Sequence, residues 1–302
     1  MRQARLFIDG EWADGESTEV LPDKYDGTPV TEVHHAAREQ VSAALRALQP
    51  AVLSSYDRYV ILARASELLR ERRDRSVEDI VTDTGFTLED AGREVDRAVQ
   101  TLLLSAEEAK RIHGEVVPLH GAPGASGRLA FTTRHPLGVI CAITPFNSPL
   151  NTVVHKVAPA LAAGNAVVLK PASQTPLTAC ALVALLLEAG LPPQLVALLH
   201  GGGSTVGNWL LEDPRPAFYA FTGSTEVGER IHRQAGLRRT QLELGSLSST
   251  IVCEDASIDR AAALCVGAAF RKAGQVCTSV QRLYVHDAVR EDFLAGVTGI
   301  LK

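Results

Sequence analysis

Apolar residues change their spacing twice along this chain. From about Ala36 to Ile112 they recur at helical intervals. Val41, Leu45 and Leu48 form one stripe, Ile61, Leu62, Leu68 and Leu69 a second, and Val95, Val99, Leu102, Leu103 and Ala106 a third. That pattern predicts three long helices. Ahead of them, residues 6–12 and the Asp-Gly turns that follow predict a short N-terminal hairpin region. Residues 118–127 are rich in Pro and Gly and break the helical spacing. Arg128–Arg134 then reads as an exposed strand, since Thr132 and Thr133 make it polar and β-branched.

After Pro136 short apolar runs alternate with helical segments. Gly138–Ile143, Ala166–Leu169, Val196–Leu199, Ala217–Phe221 and Ser249–Cys253 read as strands. Leu150–Ala163, Leu177–Glu188, Val206–Leu211 and Val227–Ala235 read as helices. Strands that are apolar throughout are buried on both faces, and their alternation with helices implies right-handed crossovers. The predicted fold class is therefore α/β with a parallel sheet.

Composition narrows the choice. At 302 residues and 46% hydrophobic content the chain can fill a core and has room for two domains. Charged residues make up 22% and the net charge is −5, which gives no nucleic-acid or anionic-membrane partner. The Arg-rich stretch Arg70–Arg75 is interrupted by Glu71 and Asp74 and reads as a solvated helix face. No apolar run reaches the ~18 residues that mark a membrane span. Cys141, Cys180, Cys253, Cys265 and Cys277 form no CxxC pair and follow no secretory leader, which points to reduced thiols in a cytoplasm. No His/Cys cluster has ligand spacing, so no metal site is predicted.

Four segments carry candidate chemistry. In Thr144-Pro145-Phe146-Asn147-Ser148-Pro149, Asn147 falls at the carboxyl end of a strand, with Ser148 as N-cap and Pro149 at the first helical position. Asn147 is there either as a turn residue capping the helix or as a donor to a developing oxyanion. Asn151 and His155 follow at steps of four, which places them on one face with Asn147. That face favours a small polar or anionic substrate, if His155 is not simply a core or surface histidine. Lys170 ends a buried strand, with Ser173 three residues on; it is either a solvated strand terminus or a ligand for a ribose. Gly223, Ser224 and Gly228 mark a strand–turn–helix whose backbone N–H groups suit a pyrophosphate. Their spacing matches neither a P-loop nor GxGxxG. Finally, Glu243 and Cys277 each lie in a glycine-marked loop and supply a base and a thiol nucleophile. The other four cysteines read as buried structural residues.

In this order the segments resemble the aldehyde dehydrogenase superfamily from Leu6 onward. The likeness is carried by Phe7-Ile8-Asp9-Gly10-Glu11-Trp12, Arg134-His135-Pro136-Leu137-Gly138-Val139, Pro145-Phe146-Asn147 and Pro159-Ala160-Leu161-Ala162-Ala163-Gly164-Asn165. It continues through Lys170-Pro171, Phe221-Thr222-Gly223-Ser224, Leu242-Glu243-Leu244-Gly245 and Gly274-Gln275-Val276-Cys277. The resemblance implies a Rossmann-like cofactor domain over 1–244, with a protruding oligomerisation arm near 118–135, and the beginning of a second α/β catalytic domain over 245–302. It implies NAD or NADP bound through Thr144, Pro145, Lys170, Ser173, Gly223, Ser224 and Gly228. Cys277 would attack an aldehyde to give a thioester, Asn147 would hold the oxyanion, Glu243 would activate water, and Asn151 and His155 would face the substrate. A homo-oligomer is implied as well.

Departures from the family pattern matter. Ser173 stands where many NAD-specific relatives carry Glu, which opens the site to NADP. Ser246 follows Gly245 where a second Gly is usual and crowds the loop bearing the base. The chain ends soon after Cys277, so either a fragment of a longer reading frame or a truncated relative is expected, with the face of Phe293, Leu294, Val297 and Leu301 left bare. Two other classes stay open: a dinucleotide-binding protein without turnover, and a thiol esterase using Cys277 alone.

Overall fold

The computed structural model describes residues 1–50 and 53–301. The chain folds as two compact units, Met1–Thr222 with Glu229–Leu242, and Gly223–Gly228 with Glu243–Lys302. The sequence predicts one cut after residue 244. The turn Gly223–Gly228 instead joins the second unit, where Gly223 N donates to Glu243 O at 3.1 Å.

The first unit opens with β1 (Arg2–Ala4), β2 (Leu6–Ile8), β3 (Glu11–Ala13), β4 (Ser17–Pro22) and β5 (Pro29–His35). β2 and β3 form the predicted hairpin, turning through Asp9 and Gly10 at φ 52° and 85°. Positive φ at both positions matches the twist of the strands. β5 pairs with β1 and β4 in a three-stranded sheet, which the sequence pattern does not announce because β4 is exposed at five of its six positions.

Four helices follow where the spacing predicts three: α1 (Arg38–Ala47), α2 (Ser55–Glu71), α3 (Arg73–Thr84) and α4 (Leu88–Arg111). The Arg70–Arg75 stretch breaks at Arg72, with φ −104° and ψ 25°. Its arginines still meet solvent-side carboxylates, Arg72 pairing Glu188 and Arg73 pairing Asp96 at 2.8 Å. α4 is capped by Thr87 and buries Ala91, Val95, Ala98, Val99, Leu102 and Ala106 along one face. The expected strand Arg128–Arg134 shrinks to β7 (Ala130–Phe131), which pairs antiparallel with β6 (Val116–Val117).

The sheet region then runs β8 (Val139–Ile143), α5 (Asn151–Ala162), β9 (Ala166–Lys170), α6 (Leu177–Glu188), β10 (Val196–Leu198), α7 (Asn208–Glu212), β11 (Pro216–Thr222), α8 (Thr225–Ala235) and β12 (Arg239–Glu243). The seven-stranded sheet has the order β12-β11-β8-β9-β10-β2-β3. β11, β8, β9 and β10 are parallel, and β2 adds antiparallel to β10. Val167, Val168, Leu169 and Leu198 are fully covered, each worth roughly 1.5–3 kcal/mol over an exposed position. The order reverses about β8, so the carboxyl ends of β8, β9 and β11 flank the crevice where open sheets bind ligands.

The second unit contains β13 (Ser249–Val252), α9 (Ile258–Phe270), β14 (Arg282–Val285) and α10 (Arg290–Ile300). β13 and β14 pair in parallel, and Val252, Ala262, Cys265 and Phe293 form a small core. Phe293 is 1% exposed and Val297 packs beside it, so of the four residues expected bare only Leu294 and Leu301 are exposed. Among the described residues no helix is long and apolar enough to cross a membrane, and no cluster could hold a metal ion.

Candidate active site

In the first unit the candidate residues gather at the carboxyl edge of the sheet. Thr144 follows β8 and is tied to β9 by its backbone N–H, which donates to Lys170 O at 3.1 Å. Lys170 ends β9 with 5% exposure, and its Nζ donates to Pro171 O at 3.3 Å. Burial lowers its pKa to about 8. The neighbouring Cys141 thiol is pushed the other way, to about 12, by the same lack of water. It is inert, as a structural cysteine should be. The Thr144 and Thr222 hydroxyls, at the ends of β8 and β11, are buried without a hydrogen-bond partner among the described residues. Ser173 Oγ donates to Gly201 O at 3.2 Å.

The Asn147 loop enters α5 differently from the local prediction. Ser148 is not the N-cap; the helix starts at Asn151 after Leu150, whose side chain caps nothing. A carboxylate from α4 takes the part. Glu94 Oε1 accepts from Leu150 N at 2.9 Å and from Asn151 N at 3.1 Å. Pro149 O accepts from Thr178 Oγ1 at 3.3 Å. Both groups are buried, Glu94 at 3% and Thr178 at 2% exposure. Asn147 itself is half-buried.

Asn151 is buried, with its Oδ1 3.3 Å from Thr101 Oγ1 on α4. His155 Nε2 lies 3.4 Å from the same hydroxyl. Partial burial, with Arg97 and Lys156 nearby, holds the His155 imidazole below its ordinary pKa. His155 also lines a cavity of about 200 Å³ with Leu137, Ile140, Phe218 and Gln241, which neither Asn147 nor Asn151 reaches. Asn151 and His155 thus meet at one hydroxyl, as their four-residue step predicts.

In the second unit the turn residues are occupied more than the sequence implies. Gly223 N is committed to Glu243 O, and Ser224 Oγ accepts from Val227 N at 3.4 Å as a cap for α8. A Cβ on Gly228 would lie 2.4 Å from Leu244 Cδ2, so this glycine makes room for a side chain. Glu243 closes β12 rather than sitting in a loop and is exposed. Cys277 lies in an exposed turn, reached through Lys272, Ala273 and Gly274 at φ 50°, 55° and 74°. Ser279 Oγ donates to Gly274 O at 3.1 Å and Ser248 Oγ to Cys277 O at 3.2 Å. Ser246 Oγ in turn accepts from Ser248 N at 3.1 Å. Cys253, expected in the interior, is exposed.

Sequence reasoning passes over Glu94, Thr101 and Ser248. The signal for the first two is a carboxylate and a hydroxyl set among the apolar positions of α4, where solvated residues do not belong.

The first unit, a parallel-stranded α/β sheet with buried donors at its carboxyl edge, is of the nucleotide-binding class, and the second presents an exposed free thiol. The chain belongs to the aldehyde dehydrogenase family, whose model matches residues 12–302. It is 47% identical over 298 residues to a 3-sulfolactaldehyde dehydrogenase of Priestia aryabhattai, covering 97% of this chain and 62% of that protein. It is 36% identical to a lactaldehyde dehydrogenase of Methanococcus maripaludis, over 95% of this chain and 62% of the relative. Among solved structures it is similar to NADP-dependent glyceraldehyde-3-phosphate dehydrogenase of Bacillus halodurans complexed with NADP. There the TM-score is 0.96 at 32% identity, over 99% of this chain and 65% of that one. The chain thus spans less than two thirds of the length of these relatives.

Proposed function

We propose that the protein oxidises a small polar or anionic aldehyde to its carboxylic acid, using NAD or NADP. The observation that carries this reading is the 47% identity along 298 residues to a 3-sulfolactaldehyde dehydrogenase. Geometry supports the cofactor. Lys170 Nζ and the unpartnered hydroxyls of Thr144 and Thr222 are buried donors at the sheet edge. Such donors suit a ligand rich in ribose and phosphate oxygens. In this reading Lys170 and Ser173 hold the adenosine ribose, and Ser173 carries no charge to repel a 2′-phosphate, so NADP is accepted. Thr144, Pro145, Gly223, Ser224 and Gly228 are the remaining residues assigned to the cofactor, Gly228 leaving room for Leu244.

Each reacting residue has one task. Cys277 Sγ adds to the aldehyde carbon while Asn147 Nδ2 donates to the carbonyl oxygen, which gains negative charge as the S–C bond forms. When bound, the nicotinamide supplies a two-electron hydride acceptor. Glu243 takes a proton from the water that releases the acid and returns the thiol. His155 and Asn151, joined through the Thr101 hydroxyl, are the residues assigned to the polar part of the substrate. The five free cysteines suit a cytoplasmic setting. The exposed Val116, Leu129 and Phe131 of the β6–β7 arm suit pairing with a second copy.

The test is absorbance at 340 nm with purified protein, NAD or NADP, and aldehydes bearing sulfonate, carboxylate or hydroxyl groups. Reduction that is lost in Cys277→Ala is expected. Cofactor binding without reduction would favour a dinucleotide-binding protein, and ester cleavage without reduction a thiol esterase.

A further inference from the structure

α5 starts without a capping side chain at its N-cap position, Leu150, and its first turn has no acidic residue. The N–H groups at its start are satisfied by Glu94, 56 residues earlier on α4, at 2.9 and 3.1 Å. A charge-assisted pair of bonds of this kind is short and directional. The carboxylate sits 3% exposed in the apolar face of α4, so it has no water to exchange with and its position is set by α4 packing. The loop before α5 is fixed at its other end by Thr144 N on Lys170 O. Asn147 lies midway between these two anchors.

We propose that Glu94 is a positioning residue for Asn147: it sets where α5 begins, and thereby where the oxyanion donor stands. This rests on the role given above to Asn147. An amide donor works only where it meets the developing charge, and a displacement of about 1 Å costs on the order of 100-fold in rate. Removing the Glu94 charge also frees the positive end of α5, an opposite effect that falls off within one helical turn. Positioning wins, because both bonds go to the one oxygen Oε1, lose their charge assistance when it becomes an amide oxygen, and act on the segment joined directly to Asn147.

Glu94→Gln, Asn147→Ala and the double variant test this in the full chain. Glu94→Gln is expected to lower kcat about tenfold with KM for the aldehyde unchanged, and to speed amide exchange at Leu150 and Asn151. In the Asn147→Ala background the same change should have no further effect on kcat, since a residue acting through another adds nothing once that one is gone. A merely structural Glu94 would subtract equally from both backgrounds. Asn147→Ala with full activity, or a wild type without turnover, would overturn the dehydrogenase reading beneath the proposal. Loss of kcat in Asn147→Ala, with Glu94→Gln silent or fully additive, would overturn the proposal itself. Should Glu94→Gln fail to fold, Glu94→Asp keeps the charge, withdraws it by one methylene, and carries the same expectation at smaller size.

Discussion

The two segments that bear the candidate catalytic groups are built in opposite ways. The Asn147 loop is short, ends in buried elements, and is tied by Thr144 N, Thr178 Oγ1 and Glu94 to three other parts of the first unit. The Cys277 turn is exposed and held by hydroxyls of its own unit, Ser279 and Ser248, after three consecutive left-handed residues. Two of those, Lys272 and Ala273, carry a Cβ, so each costs roughly 1–2 kcal/mol over the right-handed form. An oxyanion donor acts by being in place before charge develops, which rewards rigidity. A thiol must be reached and must change partners during the reaction, which rewards access.

That contrast can be broken most strongly at Asn147. Asn147→Ala should cost kcat about 100- to 1000-fold while leaving the thermal midpoint within a degree or two, measured by steady-state assay and calorimetry. A fall in midpoint with unchanged kcat would make Asn147 a turn residue and nothing more.

Next in size is the counterpart of Glu94. Asp83 on α3 accepts from Leu177 N and Thr178 N and so caps α6 from a distance, at 3% exposure. Asp83→Ala leaves both donors buried and should lower stability by about 2 kcal/mol in urea unfolding. Burial, offset in part by the bonds from Thr178 and Leu177, holds the Asp83 carboxyl at about 7, above its ordinary 3.8. The folded chain therefore binds this proton more tightly than the unfolded one. The Asp83 contribution is fully present below pH 3.8 and is lost as pH rises through 7. Asp83→Asn should flatten the decline in urea midpoint over that range, and an unchanged slope would show that other groups set it.

The Cys277 side sharpens the comparison with smaller effects. Ala273→Gly relieves one left-handed position and should stabilise by about 1 kcal/mol. A loss of stability would mean that the strain lies elsewhere. Ser248→Ala removes an exposed bond to the Cys277 carbonyl and should shift stability by less than about 0.5 kcal/mol. Alkylation of Cys277 by iodoacetamide should nonetheless change rate, because its turn loses a tether. An identical rate would show that Ser248 does not hold the turn.

How much of this was open to sequence reading follows from where the information lies. Apolar runs such as Val167–Leu169 declare themselves because burial on both faces leaves no polar position. β12 does not, since Arg239-Thr240-Gln241-Leu242-Glu243 is half exposed and its polar residues mimic a loop. The break at Arg72 is hidden because arginine is a good helix former, and only the packing of α2 and α3 turns the chain there. Ser148 looks like a helix cap because serine is a common one, but a buried carboxylate from α4 offers the stronger acceptor.

The order of the chemistry-bearing segments, the α/β alternation and the family were determined by the sequence alone, because each is written in neighbouring residues. What only tertiary structure decided is which backbone groups each buried side chain completes. Glu94 meets α5, Asp83 meets α6, Thr101 meets Asn151 and His155, and Leu244 covers Gly228. Those pairings join residues up to 95 positions apart. A polar group leaving water must find a partner wherever packing puts one, and local spacing holds no record of that place.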